Sequence, residues 1–336
     1  MKALQLQAVG KLEMIDIDPP AISDDQMLIK TGAAVICTSD LNDIRENPFN
    51  VALPVVMGHE GAGTVAKLGK KVRGFRVGDR VATHPVHPCG QCPDCHSGRG
   101  HLCPSMLHFG LTLPGTFAEY YLVRADRARK VPADVSFELA ALAEPVCVCL
   151  QALAQARLTA GDRLLIMGDG PFGVLMAMLV KDLPLAALVI AGHHDFRLAF
   201  APGVSINTNT QSDPLAAMRA RTDNIGYDAV ILAVGRSQAV RDGLTLLRPK
   251  GRLIVFSPIT GQTPIDLFPV SCKELEIIGA CNDEDRLDEA VHKLADPSLD
   301  LGRLITHRFP IEQYRDAFDV ASGGHHEALK VAMTFA

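Results

Sequence analysis

The sequence predicts an α/β protein in two parts, a mostly β unit joined to a doubly wound parallel-sheet unit, and three observations carry that expectation. The chain has 336 residues, enough for about two domains at roughly 100 to 200 residues each. Up to about residue 145, short alternating runs at 26–31, 63–68 and 120–124 are separated by Gly and Pro and read as strands between turns. From about residue 152 the texture changes to short apolar strands alternating with helical stretches of about ten residues, the mark of βαβ units around a parallel sheet.

Taken in order, the second part reads as strand 163–167, helix 172–181, strand 187–191, the start of a helix at 195–200, strand 227–233, helix 238–247 and strand 252–256. Amphipathic helices follow at 287–294 and around 311–321. A final strand at 329–335 is expected to join the N-terminal β unit. Composition narrows the function. With 48% hydrophobic residues, 21% charged and a net charge of -5, the chain is an ordinary folded protein, and an acidic balance without a basic stripe speaks against a nucleic-acid partner. The apolar stretch 164–180 is broken by Asp169, Gly170 and Pro171, short of the run of about 20 residues that spans a bilayer. Residues 1–10 lack the apolar core of a signal peptide, so a cytoplasmic location is expected.

Leu164-Leu165-Ile166-Met167 leads into Gly168-Asp169-Gly170-Pro171-Phe172-Gly173 and then an apolar helix. A GxGxxG between a buried strand and a helix is the setting of the dinucleotide fingerprint. Gly168 would make the tight turn, Gly170 would let the backbone approach a pyrophosphate, and Gly173 would let helix and strand pack closely. The positive end of the helix faces the phosphates. The bland alternative is a glycine-rich turn with no ligand. The next strand should end in Asp or Glu to grip the ribose of NAD, but the position is Gly192, followed by His193, His194 and Arg197. Gly leaves room for a 2′-phosphate, and imidazole or guanidinium groups can donate to it, so NADP is expected over NAD. The opposing reading has Asp195 swinging back to an NAD ribose and the histidines in a solvated loop.

The nine cysteines are unevenly placed. Cys89, Cys92, Cys95 and Cys103 have the spacing of a closed four-thiolate zinc site. Disulfides are disfavoured by the compartment and by strain, and the spacing does not match the common ferredoxin runs. His84, His87, His96 and His101 are expected at the surface, because four sulfurs already close the shell. Cys147 and Cys149 read as core, Cys272 and Cys281 as structural residues within the last strands, and His325 and His326 as loop. A second constellation is scattered over Cys37-Thr38-Ser39-Asp40, Gly58-His59-Glu60 and Glu144-Pro145. Singly, each has a bland reading, since a lone Cys is commonly buried and a lone Glu solvated.

Taken together, these residues resemble the zinc-containing alcohol and polyol dehydrogenases of the medium-chain dehydrogenase/reductase superfamily. The match also includes Gly61-Ala62-Gly63, Val77-Gly78-Asp79-Arg80-Val81, Gly115-Thr116-Phe117-Ala118-Glu119-Tyr120, Leu247-Arg248-Pro249-Lys250-Gly251-Arg252 and Leu304-Ile305-Thr306-His307-Arg308-Phe309. The resemblance implies a GroES-like β-rich catalytic domain over 1–148 and 284–336, with a structural-zinc lobe at 86–106, and a Rossmann cofactor domain over 149–283, the catalytic zinc lying in the cleft between them. It implies Cys37 and His59 as zinc ligands, Glu60 as a ligand in polyol-type members, and Glu144 at the site of the remaining ligand, direct or through water. Asp40 is implied to orient His59, and Ser39 to pass the hydroxyl proton toward the nicotinamide ribose. Thr38, Pro171, Phe172 and Val234 complete the expected cofactor contacts. Where several relatives carry a relay His, this chain has Asn42, which exchanges no proton near neutral pH, so the proton is expected to leave through water. The implied activity is zinc-dependent hydride transfer between a small alcohol (polyol, sugar-derived or secondary) and NADP or NAD, in a homodimer or homotetramer. The alternatives are a zinc-free quinone or enoyl reductase of the same superfamily, or a non-catalytic protein that binds zinc and cofactor.

Overall fold

In the computed structural model, which describes residues 1–323 and 327–336, the chain divides into Met1–Cys147 with Glu284–Ala336 and, separately, Val148–Asp283. His325 and His326 lie outside the described residues. Two antiparallel registers organise the first unit. The strand Gln26–Val35 pairs with Glu60–Leu68, Val35 standing opposite Glu60. It also pairs with the last strand, Lys330–Thr334, where Ala332 stands opposite Val35. Extending both registers by two residues sets Cys37 level with Gly58 on one side and with Lys330 on the other. Arg80–Thr83, Ala128–Lys130 and Ile305–Pro310 complete the main sheet path, and Tyr120–Arg124 pairs with Gln26–Val35 off that path. The final strand thus joins the β unit as expected. Met27, Ile29, Val65, Val81, Tyr121 and Val123 alternate inward from four of these strands to form one core.

The second unit is a six-stranded parallel sheet in the order Val204–Asn207, Ala187–Gly192, Arg163–Met167, Tyr227–Leu232, Leu247–Val255, Glu276–Gly279. This is the dinucleotide-binding order of a doubly wound sheet. Every residue of Tyr227–Leu232 is buried, because a central parallel strand is covered on both faces. The helix after the glycine turn runs Pro171–Leu179, with Pro171 in its first turn, where a missing N–H costs nothing. Cys147 and Cys149 are buried as expected. Cys272 and Cys281 are not in strands: Cys272 ends the helix Leu267–Cys272, Cys281 follows the strand Glu276–Gly279, and both are exposed. Among the described residues no helix is long and apolar enough to cross a membrane.

Candidate active site

Cys37 leaves the strand Gln26–Val35 and immediately precedes the helix Thr38–Glu46. The third residue of that helix, Asp40, is buried, and its carboxylate holds two groups in place. Oδ2 accepts the Cys37 backbone N–H at 2.9 Å, and Oδ1 accepts His59 Nδ1 at 3.1 Å. A carboxylate can only accept, so Nδ1 carries a proton and Nε2 is the ring atom left for a metal. Ser39 Oγ lies 3.5 Å from that Nε2. Donor atoms of Cys37, His59 and Glu60 all fall within 4.8 Å of one another, and all three residues are buried.

Charge at this site is dense and compensated. Burial opposes protonation of His59, but Asp40 and Cys37 reverse the balance and raise the imidazole well above its ordinary range. Glu60 is completely buried, and both of its oxygens accept from Lys330 Nζ, at 2.5 and 2.7 Å. Burial works against the Lys330 ammonium, yet Glu60, with Cys37 and Glu144, raises it above the usual lysine range. Glu144 is not one of the three clustered donors. Burial pushes its carboxyl up to about 7 against the pull of His59, and its Oε2 is buried without a hydrogen-bond partner. A thiol, an imidazole and a carboxylate in one group, beside a buried carboxylate oxygen that no donor satisfies, is donor chemistry that fits zinc. Lys330 escaped the sequence reading, although a lysine inside the apolar run Ala328-Leu329-Lys330-Val331-Ala332-Met333 was the available signal.

The four-cysteine lobe is a separate construction of the same unit. Val86–His87 pairs with Leu107–His108, and the lobe lies between them. All four thiols are free and gathered within 4.8 Å, with Cys92 and Cys95 sulfurs 3.4 Å apart and Cys89 and Cys95 sulfurs 3.9 Å apart. The backbone N–H of Cys95 donates to Cys92 Sγ and that of Cys89 to Cys103 Sγ. Such N–H donors stabilise thiolates, and hydrogen bonds from the Gln91 backbone and the Cys103 side chain bring the Cys89 thiol down to about 6. The expectation for the neighbouring histidines is corrected: His84, His87 and His101 are buried, and only His96 is exposed. The His87 ring packs at a tilt against Phe109, with centroids 4.9 Å apart.

In the second unit the three glycines of the turn divide by cause. Gly168 has φ +127° and a Cβ there would stand 2.5 Å from Ala233 O, while a Cβ on Gly173 would stand 1.9 Å from Gly168 O. Both are required by the fold. A Cβ on Gly170 would meet nothing within 4 Å, so packing within the protein does not itself require this glycine. Phe172 packs edge-on against Phe256, and Val234 packs against the core of this unit. Thr38 opens its helix in the first unit. The space beside Gly192 is occupied by a side chain: a Cβ there would meet Asp169 at 2.3 Å. Asp195 does not swing back either, since its Oδ1 accepts from Asn207 Nδ2 at 2.8 Å. Arg197 is half-buried in the short helix Asp195–Leu198.

Comparison with known proteins agrees with this geometry. Residues 23–133 match the alcohol dehydrogenase GroES-like domain and residues 173–296 the zinc-binding dehydrogenase domain. The chain is 32% identical to the D-arabitol-phosphate dehydrogenase of Enterococcus avium over 97% of its own length and 95% of that protein. Among solved structures, a short chain alcohol dehydrogenase from Escherichia coli CFT073 in complex with NADH is 27% identical with a TM-score of 0.92, covering 100% of this chain and 99% of that one. A structure from Sinorhizobium meliloti 1021 bound to NADP is 24% identical with a TM-score of 0.92, covering 99% and 98%, a likeness of fold.

Proposed function

The chain belongs to the zinc-containing alcohol and polyol dehydrogenases of the medium-chain superfamily, and from that premise we propose how its own residues divide the work. It is an oxidoreductase for small-molecule alcohols, using zinc and a nicotinamide dinucleotide. Residues 1–148 with 284–336 form the catalytic domain, and residues 149–283 hold the cofactor. Cys37, His59 and Glu60 hold the catalytic zinc, and Glu144 faces the same charge through its unsatisfied Oε2. Cys89, Cys92, Cys95 and Cys103 hold a second, structural zinc. When bound, the catalytic zinc supplies Lewis acidity at the carbinol oxygen, and the nicotinamide ring accepts the hydride.

The remaining chemistry belongs to the protein. Asp40 fixes the His59 ring through Nδ1 and the Cys37 backbone through its N–H, so two ligands 22 residues apart in the chain are oriented by one carboxylate. Lys330 neutralises Glu60, which keeps the buried carboxylate in place without a second uncompensated charge beside Cys37. Ser39 Oγ stands at His59 and takes the substrate hydroxyl proton. Its next partner is not Asn42, whose Oδ1 accepts from Arg45 Nη2 at 3.2 Å and which has no exchangeable proton near neutral pH; the proton leaves through water. Gly168, Gly170, Pro171, Phe172 and Gly173 form the pyrophosphate turn. The reading carries with it a cytoplasmic homodimer or homotetramer, a reducing setting suiting nine cysteines that form no disulfide.

The single observation that carries this reading is the meeting of Cys37, His59 and Glu60 beside the unpartnered Glu144 oxygen. The test is metal analysis together with a panel of polyols, aldoses, amino alcohols and secondary alcohols with both cofactors. Two zinc ions per chain and reduction of the cofactor by one alcohol class are expected. Near-zero zinc with turnover of quinones or enones would replace the reading with a zinc-free reductase. Full zinc and tight cofactor binding without hydride transfer to any substrate would make the protein a non-catalytic binder.

A further inference from the structure

In a dinucleotide fold the acidic residue that holds the adenosine ribose stands at the end of the second strand. This chain has Gly192 there, and the structure puts a carboxylate into the same space from another direction. Asp169, the residue between the first two glycines of the turn, is 6% exposed, and its side chain lies where a Cβ on residue 192 would be, with Cβ, Cγ and Oδ2 at 2.3, 2.4 and 2.7 Å. The two positions are mutually exclusive: a side chain at 192 would expel Asp169. Three donors converge on one oxygen. Oδ2 accepts the backbone N–H of His193 at 2.8 Å, that of His194 at 2.7 Å, and His194 Nδ1 at 3.0 Å. Burial raises the carboxyl, but these backbone and imidazole bonds outweigh it and bring it below the ordinary aspartate range. The other oxygen, Oδ1, accepts from no donor among the described residues.

The two imidazoles are also committed. Thr208 Oγ1 donates to Gly192 O at 2.9 Å and has a single hydrogen, so its 2.8 Å contact with His193 Nδ1 requires the ring to be the donor. His194 Nδ1 donates to Asp169 for the same reason. In the neutral form both rings therefore turn an acceptor, Nε2, away from these partners. The histidines that suggest a phosphate site in the sequence are acceptors beside a fixed negative charge. A 2′-phosphate brings further negative charge to that place, whereas a 2′-hydroxyl brings a donor.

Resting on the dehydrogenase reading above, we propose that Asp169, transposed from the strand end to the glycine turn, is the residue that selects the cofactor: its Oδ1 accepts the adenosine ribose hydroxyl, and the enzyme prefers NAD(H) to NADP(H). The expectation of NADP from Gly192 is thereby reversed, because the space it counted as empty holds a carboxylate. Asp169→Asn keeps an oxygen for the His193 and His194 N–H groups and removes the charge. The experiment titrates the zinc-loaded protein with NADH and with NADPH and follows the nicotinamide fluorescence. Wild type is expected to bind NADH at least about tenfold more tightly. Asp169→Asn is expected to lose about 10- to 100-fold in NADH affinity, the scale of a hydrogen bond to a charged group, while NADPH binding holds or improves. NADPH binding as tight as NADH in wild type, or equal loss of both in the variant, overturns the proposal. The wild-type ratio decides alone should the variant misfold. Binding of neither nucleotide removes the dehydrogenase reading itself and the selection argument with it.

Discussion

The cysteine lobe and the Cys37 cluster are both groups of one unit that could hold a metal ion, yet they are built in opposite ways. The lobe draws four ligands from fifteen consecutive residues, 89–103, and steadies its sulfurs with backbone N–H donors. Its partners are local, three of the four thiols are partly exposed, and little else depends on them. The Cys37 cluster draws its groups from residues 37, 40, 59, 60, 144 and 330; sheet register brings the segments around 37, 60 and 330 together, and two helices supply Asp40 and Glu144. There the charges are buried and must cancel: Asp40 against His59, Glu60 against Lys330. A local site can be altered as a module, whereas an assembled site transmits any change in one charge to the packing around it.

The largest effect that tests this contrast comes from the ligands. His59→Asn is expected to remove one zinc and lower kcat/KM by roughly 10³-fold or more, the Lewis-acid contribution being several kcal/mol, with the lobe zinc retained. Cys92→Ser should instead lose the other zinc and lower thermal stability, with the Cys37 zinc still bound. Metal content and steady-state rates of the two variants read this directly, and simultaneous loss of both zinc ions in either variant would erase the distinction. Next in size, Lys330→Met strands the buried Glu60 charge and should cost about 3 to 5 kcal/mol, more in chelator-treated protein than in zinc-loaded protein. Lys330→Met with Glu60→Gln should recover most of it in a denaturant melt. If the single variant matches wild type, the ion pair is not what holds the cluster. The smallest effect concerns the packing beneath the lobe. Burial, with help from Arg124, lowers His87 to about 4, so the folded protein resists a proton that the unfolded chain takes up near 6.5. The folded pKa is depressed, so its stabilisation is full above about 6.5 and fades as pH falls toward 4, by ~2 kcal/mol at pH 5. His87→Leu should flatten the melting temperature between pH 7 and 5 relative to wild type.

What the residues alone revealed follows the same division. The lobe and the glycine turn were legible because their parts are neighbours along the chain, and a fixed spacing is itself a geometric statement. Cys37, His59 and Glu144 were ambiguous one by one, and only resemblance joined them, because no local pattern encodes that Val35 pairs with both Glu60 and Ala332. Lys330 was missed for that reason. Gly192 is ambiguous for a related reason: the gap it leaves is filled by Asp169, a residue 23 positions earlier whose side chain turns toward it. His84, His87 and His101 are expected to be exposed from their polarity, but all three are buried, His87 against the Phe109 ring.

The pairing of Glu60 with Lys330 spans 270 residues, which gives the site a history as well as a shape. A ribosome delivers the thiol, the imidazole and the acid first, and the base only 270 residues after Glu60. Until residue 330 is made, Glu60 must stay in water or take a provisional counter-charge. The strand bearing Lys330 closes the sheet beside Cys37 and supplies the missing cation in one event. Arrival of residue 330 is therefore the step that brings this set of buried charges into balance.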